Sequence, residues 1–473
     1  MSTTRRTATP SRAAADMLNP KAAVPVLLVS FVFCLVVDNG FKFMSKPIAD
    51  DLGLTAATVS LQATLAGIVI GIGAVVYAAL ADAISIKKLL YVGIGFIVAG
   101  SLLGFLFRDN WPLVLTGRIV QTCGLAAAET LYVIYVTKYL SKKDQKTYLG
   151  FSTSAFQAAL LIGALTSGFI ATYVSWTAMF LVPLLLVVTV PFIHKTIPET
   201  AVSKTSLDVI GLFLIAAVAT CVILYTQAWN PVWLVPIVVG IALFVLHIRR
   251  NPKALVRPEF FTNGRYVWAL ILVLIVYSVQ LAYIFLFPFA VSTLHGLELD
   301  QASLLIAPGY AAAAIVGALS GKIGNYLTSR QTIMVALGLI IASLILGALF
   351  VETSKTMLII SIVFFAVSFA LLYAPLVSTA IGNIPAEKSG IAIGFYNLTI
   401  NLAIPVGIAY TAKLMDMKVA FFQGLSLATT AEGGHFATVL WIIALVAIAG
   451  TSAYVVADQK MKAGEKRTAV AGR

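Results

Sequence analysis

The sequence has little charge. Asp, Glu, Lys and Arg make up only 11% of its 473 residues, about half the share of an ordinary soluble domain, whereas 60% are hydrophobic. So much apolar bulk excludes a disordered chain, and 34 glycines without a triplet period exclude a collagen-like fibre. Cysteine is scarce: Cys34, Cys123 and Cys221 each fall inside an apolar run, at spacings that fit neither a disulfide framework nor a zinc site. The four histidines, His194, His247, His295 and His435, stand at the ends of such runs or between them and form no metal constellation. Residues 1–20 hold Arg5, Arg6 and Arg12 but no apolar core, so no cleavable signal peptide is expected. There is no Gly-x-x-x-x-Gly-Lys-[Ser/Thr] sequence, which argues against an ATP-driven pump. Nor is there a clustered nucleophile, metal site or interfacial carboxylate pair of the kind an enzyme needs.

What the chain does have is long apolar runs, with a mean hydropathy of +0.98. About 20 such residues make a helix long enough to cross roughly 30 Å of hydrocarbon. The runs predict fourteen spans, near 23–46, 57–80, 88–107, 111–138, 148–172, 175–194, 208–227, 231–248, 266–291, 302–324, 331–350, 356–382, 389–413 and 436–457. The excess of basic residues tests the number. With the N-terminal tail in the cytoplasm, 25 of the 32 Lys and Arg but only 9 of the 19 Asp and Glu fall in cytoplasmic segments. External segments hold 5 basic residues (Lys46, Arg108, Lys355, Lys413 and Lys418) and 8 acidic ones, and a missed span would scramble this bias. The net charge of +13 therefore lies in short loops beside a lipid bilayer, and no nucleic-acid partner is expected. The reading is an all-α, multi-pass protein of the cell's inner (cytoplasmic) membrane, with both termini cytoplasmic.

The spans group unevenly. A cytoplasmic tail (1–22) precedes a six-helix half (23–194), a linker with two accessory helices (195–248), a basic hinge with a second six-helix half (249–457), and a tail (458–473). Weak internal symmetry supports the halves: Ala78-Ala79-Leu80-Ala81-Asp82 follows span 2, and Gly321-Lys322-Ile323-Gly324-Asn325 follows span 10. Two such halves around a midplane cavity are the arrangement expected of an alternating-access transporter.

The stretch from Ala78 through Asp82, Ser85, Lys87 and Lys88 resembles the loop 2–3 motif of the major facilitator superfamily, with Ala78 and Ser85 at its glycine positions. Asp82, Lys87 and Lys88 are thereby candidate residues of a cytoplasmic gate. Val37-Asp38 with Pro47, and Arg118-Ile119-Val120-Gln121-Thr122-Cys123-Gly124, resemble the span 1 and span 4 motifs of fourteen-span drug:proton antiporters. The basic stretch from His247 to Arg265, Pro308-Gly309, and Gly390, Gly394 and Asn397 also fit that family. The likeness covers nearly the whole chain and looks nearest to the fourteen-helix tetracycline–cation/proton antiporters. It implies the major facilitator fold with two inserted helices. It also implies a single-chain, monomeric transporter of small molecules, driven by the proton gradient without a cofactor. The antiporter motif of span 5 survives as Gly163-Ala164-Leu165-Thr166-Ser167-Gly168, with Ala164 at its proline position, and Lys42 adds a charge to span 1.

Four ionisable residues lie at membrane depth, Asp38, Lys42, Arg118 and Glu129, where each costs about 3 kcal/mol or more unless it faces a cavity or a partner. Asp38 and Lys42 are four apart and share a helix face. At 1.5 Å per residue, Asp38 lies roughly 12 Å from Lys46 and Arg118 roughly 10 Å from Trp111, so the two can meet at matching depth. Glu129 follows Arg118 by about three turns, faces the same way roughly 16 Å deeper, and has no basic residue within a turn on its own helix. Such a carboxyl suits proton or substrate coupling, with Asp38, Lys42 and Arg118 as a switchable ion-pair network and Asp38 a second coupling candidate. Alternatively, Glu129 is a satisfied structural carboxylate near the cytoplasmic water line. Gln121, Gln157, Tyr277, Gln280, Tyr283, Tyr373, Asn397 and Asn401 are candidate substrate-cavity residues, for amides and aromatics at the midplane suit an amphipathic organic compound. The bland reading of each is packing or hydrogen bonding between helices.

Two readings share this fold: proton-coupled, drug-type export of an amphipathic organic compound, or transport of a specific zwitterionic or anionic metabolite. Arg118 and Lys42 favour the second. A non-transporting scaffold or sensor would need a large soluble domain or the loss of intramembrane charge, and neither is seen.

Overall fold

Fourteen helices long and apolar enough to cross a membrane follow one another along the chain, and no strand occurs among the described residues. The computed structural model describes residues 20–197, 199, 208–251, 263–324, 326–382, 384 and 386–471. It omits the side chains of 82, 142–143, 145–147, 149–154, 320–321, 381, 386–391 and 460–471. Spans 1 to 6 are Pro20–Phe43, Ala56–Ala81, Ile86–Leu106, Trp111–Tyr139, Ala155–Tyr173 and Trp176–Thr196. Spans 7 and 8 are Val209–Ala228 and Pro231–Arg250. Spans 9 to 14 are Gly264–His295, Leu299–Leu319, Ser329–Phe350, Lys355–Ala380, Ala392–Asp416 and Ala431–Gln459. The fourteen-span, all-helical expectation holds.

Polar residues at the ends of the apolar runs set where several helices begin. A helix leaves its first four N–H groups without internal partners, and a side-chain oxygen just before it can accept from them. Thr55, Ser85 and Asn110 do this for spans 2, 3 and 4, and Thr328 with Gln331 forms a reciprocal capping box on span 11. Ser85, at a glycine position of the loop motif, is therefore a cap. Two spans depart from a plain helix. Span 1 ends at Phe43, and Lys46 sits on a separate short helix, Ser45–Leu52, paired with Asp50. Span 6 runs as 3-10 turns, Trp176–Phe180 and Val182–Thr189, before an α-helical end, with Pro183 and Pro191 each in the first turn of the piece that holds it.

Span 4 packs on span 3 and span 1 on span 5, while span 9 packs on spans 13 and 14. The first six spans meet the last six where span 5 crosses span 10 and span 2 crosses span 13. The second crossing is close. A Cβ on Gly67 would lie 2.6 Å from Pro405 Cγ, and one on Gly71 would lie 2.9 Å from Asn401 Cβ. Span 7 leans on this seam: Ile223 is buried with Ile68 of span 2 and Ala409 of span 13. Gln227 Nε2 donates to Ala57 O and Ser60 Oγ, both at 3.0 Å. Span 8 pairs with span 7 and exposes Val235, Val238 and Ile241, a surface suited to lipid.

Two polar clasps join the halves on the face away from the chain termini. The Asp416 carboxylate at the end of span 13 accepts from Ala56 N and Ala57 N, both at 2.9 Å, so a residue of one half caps span 2 of the other. Asp300 Oδ2 accepts from the Tyr173 hydroxyl at 2.9 Å, and Asp300 N donates to Thr172 Oγ1 at 3.2 Å.

On the same face, Glu352 accepts from Thr429 N at 2.9 Å, Thr430 N at 3.2 Å and the Thr429 hydroxyl at 2.9 Å, tying the loop before span 14 to the end of span 11. Partial burial pushes the Glu352 carboxyl up, but these donors outweigh it and hold the group below its ordinary value. A carboxyl lowered in the folded state stabilises above its unfolded value, near about 4.3, and loses that contribution as pH falls through its folded value. Amide exchange at Thr429 and Thr430, corrected for intrinsic rate, should therefore accelerate once the pH drops below about 4.3, and Glu352→Gln should remove that pH dependence. Exchange that stays flat in the wild type would contradict the assignment.

Candidate functional site

The site begins with a charge that has to be neutralised. Arg118 in span 4 is only 1% exposed, and a buried guanidinium needs a carboxylate and hydrogen-bond acceptors around it. Asp38 in span 1 supplies the carboxylate, its Oδ1 accepting from Arg118 Nη2 at 2.6 Å. Gln121, one turn further along span 4, accepts from Arg118 Nη1 at 3.0 Å and passes its own amide N–H to Ser101 Oγ of span 3 at 3.0 Å. The Phe41 ring lies 4.5 Å from the guanidinium carbon, a cation–π contact that uses the next turn of span 1. The other oxygen of Asp38 pairs with Lys42, as the four-residue spacing predicts. One carboxylate thus serves two cations.

A cavity adjoins this cluster. From the first six spans it is lined by Asp38, Asn39, Lys42, Gly67, Glu129 and Leu160. The last six contribute Gln280 and Leu281 of span 9 and Asn401, Ile404 and Pro405 of span 13. A second, smaller chamber shares Asn39, Lys42, Leu160 and Leu281, and is otherwise walled by apolar and aromatic residues, Phe285 and Tyr310 among them. Glu129 faces the larger chamber, and its Oε1 is buried with no hydrogen-bond partner among the described residues.

Of the residues singled out from the sequence, Asp38, Lys42, Glu129, Gln280 and Asn401 converge on one cavity, and Arg118 anchors it from behind. The others lie elsewhere. Gln121 is consumed between Arg118 and Ser101. Tyr283 is on the face of span 9 opposite Leu281, where its hydroxyl pairs with Ser361 Oγ at 2.9 Å and its ring meets Phe365 edge-on. Tyr277 shares the cavity face one turn beyond Leu281 and packs on Phe369. Asn397 is likewise one turn beyond Asn401, and accepts from the Tyr373 hydroxyl at 3.0 Å. Gln157 faces Gly317 at the crossing of spans 5 and 10.

Of the gate candidates, Lys87 donates to His194 O at 2.9 Å and Lys88 pairs with the Glu199 side chain at 3.6 Å. Lys87 thereby joins span 3 to span 6 within one half and does not reach the other. The Asp82 side chain and the hinge residues 252–262 lie outside the described residues.

Other residues at the site carried no sequence prediction. Asn39 lines both chambers, and its position beside Asp38 inside an apolar run was the available signal. Asp300 and Asp416 had entered only the count of external charge, because their partners are backbone or hydroxyl groups more than a hundred residues away.

A family model described as Major Facilitator Superfamily matches residues 26–408. The Quinolone resistance protein NorB of Staphylococcus aureus (strain bovine RF122 / ET3-1) is 25% identical over 425 residues, covering 86% of this chain and 90% of that protein. The protein of the same name in strain JH9 is 25% identical over 426 residues, with the same two coverages. Among solved structures, the POT family transporter PepTSo has a TM-score of 0.69 at 13% identity, over 94% of this chain and 99% of that one. A bacterial homolog of the human lysosomal transporter Spinster, inward-facing and unoccupied, has a TM-score of 0.66 at 12% identity, over 93% and 97% of the two chains. At such identities the two structures speak for the fold alone.

Removing the shared carboxylate leaves Arg118 buried without its counter-charge. Asp38→Asn is expected to destabilise the protein by about 3–5 kcal/mol, read as a lower thermal unfolding temperature of the purified chain. Adding Arg118→Gln should restore part of the loss, since the uncompensated charge goes with it. An unfolding temperature untouched by Asp38→Asn would mean that the pair carries no structural weight.

Proposed function

The chain belongs to the Major Facilitator Superfamily, and from that membership we propose that it is a proton-coupled secondary active transporter that exports an amphipathic organic compound by alternating access. That it is a multi-pass membrane transporter follows from the family match and the fourteen spans. Export, drug-type substrates and proton coupling are the proposal, together with action as a monomer in the cytoplasmic membrane with both termini inside.

One observation carries this reading: a carboxylate, Glu129, with a buried oxygen that has no hydrogen-bond partner among the described residues, facing a cavity that both halves build. An ionised carboxylate at membrane depth costs about 3 kcal/mol or more unless water or a partner attends it. Binding a proton removes that cost. A ligand shifts the balance between two states only by binding one of them better. A proton on Glu129 would do so, because it changes the charge of the cluster as seen from the cavity. With Asp38 ionised, Lys42 and Arg118 leave that cluster one positive charge in excess, which an ionised Glu129 offsets and a protonated one does not. The clasps at Asp300 and Asp416 must open for the far face to admit the proton or release substrate, and the Gly67/Gly71 crossing gives the halves a close surface to move on.

Similarity to a protein named for quinolone resistance makes drug-like organic compounds the first class to test. A specific zwitterionic or anionic metabolite is the second reading, favoured by Lys42, whose charge faces both chambers.

The test is drug susceptibility in an efflux-deficient bacterial host carrying wild type, Glu129→Gln or empty vector. Wild type should raise resistance several-fold to at least one compound. Glu129→Gln, expressed at an equal level, should return it to the vector value. A broad panel without any resistance would sink drug-type export and leave the metabolite reading. Undiminished resistance in Glu129→Gln would remove Glu129 from coupling.

A further inference from the structure

Among the described residues Lys42 is the one basic side chain lining the two chambers, and one of the four residues they share. Its ammonium group has three N–H donors, and the hydrogen bond found for it goes to Asp38, whose other oxygen is taken by Arg118. Two cations therefore share a single carboxylate, and the surplus positive charge lies on the side that faces the cavity, since Arg118 is enclosed by Phe41, Gln121 and Asp38. In surroundings of low dielectric such a surplus is felt strongly. Glu129, the remaining carboxylate in the larger chamber, is not ion-paired among the described residues. The smaller chamber, beyond Lys42, offers a dry wall of Phe43, Ile284, Phe285, Tyr310 and Ile408.

We propose that Lys42 is an anion subsite, and that the substrate is an aromatic organic acid whose carboxylate pairs with Lys42 while its ring system turns toward the apolar side chains beyond it, Phe43, Ile284, Phe285 and Tyr310. This deepens the transporter reading and rests on it, since it takes the cavity for the substrate path. With Glu129 protonated, the carboxylate completes the charge balance that Asp38 leaves open. Asn39 stands beside Lys42 in both chambers, but its amide already donates to Leu35 O at 2.8 Å, so the ammonium group is the principal donor. A substrate bearing a cation would meet the surplus charge of the same sign. In this arrangement Glu129, which lines the larger chamber with Lys42, keeps its own proton exchange.

The experiment measures equilibrium binding to the purified full-length chain by titration calorimetry at neutral pH, without a proton gradient. The probes are 2-naphthoate, 2-naphthamide and 2-naphthylmethylammonium, which keep one ring and differ in charge. The acid should bind about tenfold tighter than the amide, the factor that one charge-assisted hydrogen bond contributes. Lys42→Gln should bring the acid down to the amide's affinity while leaving the amide unchanged, which also shows that the variant is folded. Lys42→Arg should keep the preference. Equal affinities for acid and amide, preference for the ammonium probe, no binding of the acid, or an acid preference that survives Lys42→Gln would each overturn the proposal. The outcome is separable from that of the export reading. Resistance that depends on Glu129 can coexist with a failed anion subsite, and acid binding that depends on Lys42 can coexist with failed proton coupling.

Discussion

Charge inside a membrane has to be neutralised where it stands, and in this chain that requirement converges on Asp38. Its two oxygens hold Lys42 and Arg118, the second almost wholly buried. From there the constraint spreads through Gln121 to Ser101, so spans 1, 3 and 4 are placed by one chain of hydrogen bonds. Small residues let this happen. Gly100 and Gly104 of span 3 face Gly117 of span 4 so closely that added Cβ atoms would strike backbone or ring atoms. The walls of the larger chamber follow from that placement, because Asp38, Asn39 and Lys42 form one side of it.

The two halves are joined by different means. Span 2 crosses span 13 through glycine, proline and asparagine, a contact of shape. On the face away from the termini the contact is polar and directional. Asp416 supplies the acceptors that the first turn of span 2 needs, alongside Thr55, so that helix is fully capped only while the halves touch there. Span 7 bridges the same seam through Ile223 and Gln227, which gives the two inserted helices a role as a brace across both halves.

Much of the fold was legible because the bilayer imposes one-dimensional rules. Length and hydropathy locate fourteen spans, and loop charge checks their number. Caps such as Ser85, Asn110 and Thr328 mark helix starts from within a few residues. Part of the site was legible for the same reason. Asp38, Lys42, Arg118 and Glu129 are conspicuous because ionisable residues are rare at that depth. Helical spacing paired the first two and matched the depths of Asp38 and Arg118. The aromatic and amide candidates separated poorly. Tyr277, Gln280 and Tyr283 lie within two turns of span 9, yet one lines the cavity, one packs a turn beyond it, and one faces the opposite way into Ser361.

The sequence by itself determined the number of spans, the helical class and the four charges that had to be answered inside the membrane. These depend on transfer energies and helical period, which each segment carries alone. Only the tertiary structure decided which half supplies each wall of the cavity, that Glu129 has an oxygen without a partner among the described residues, and that Asp300 and Asp416 reach across the halves. Those depend on the rotation of each helix about its axis and on which helices become neighbours. Contacts between segments up to hundreds of residues apart set both, and no local spacing encodes them.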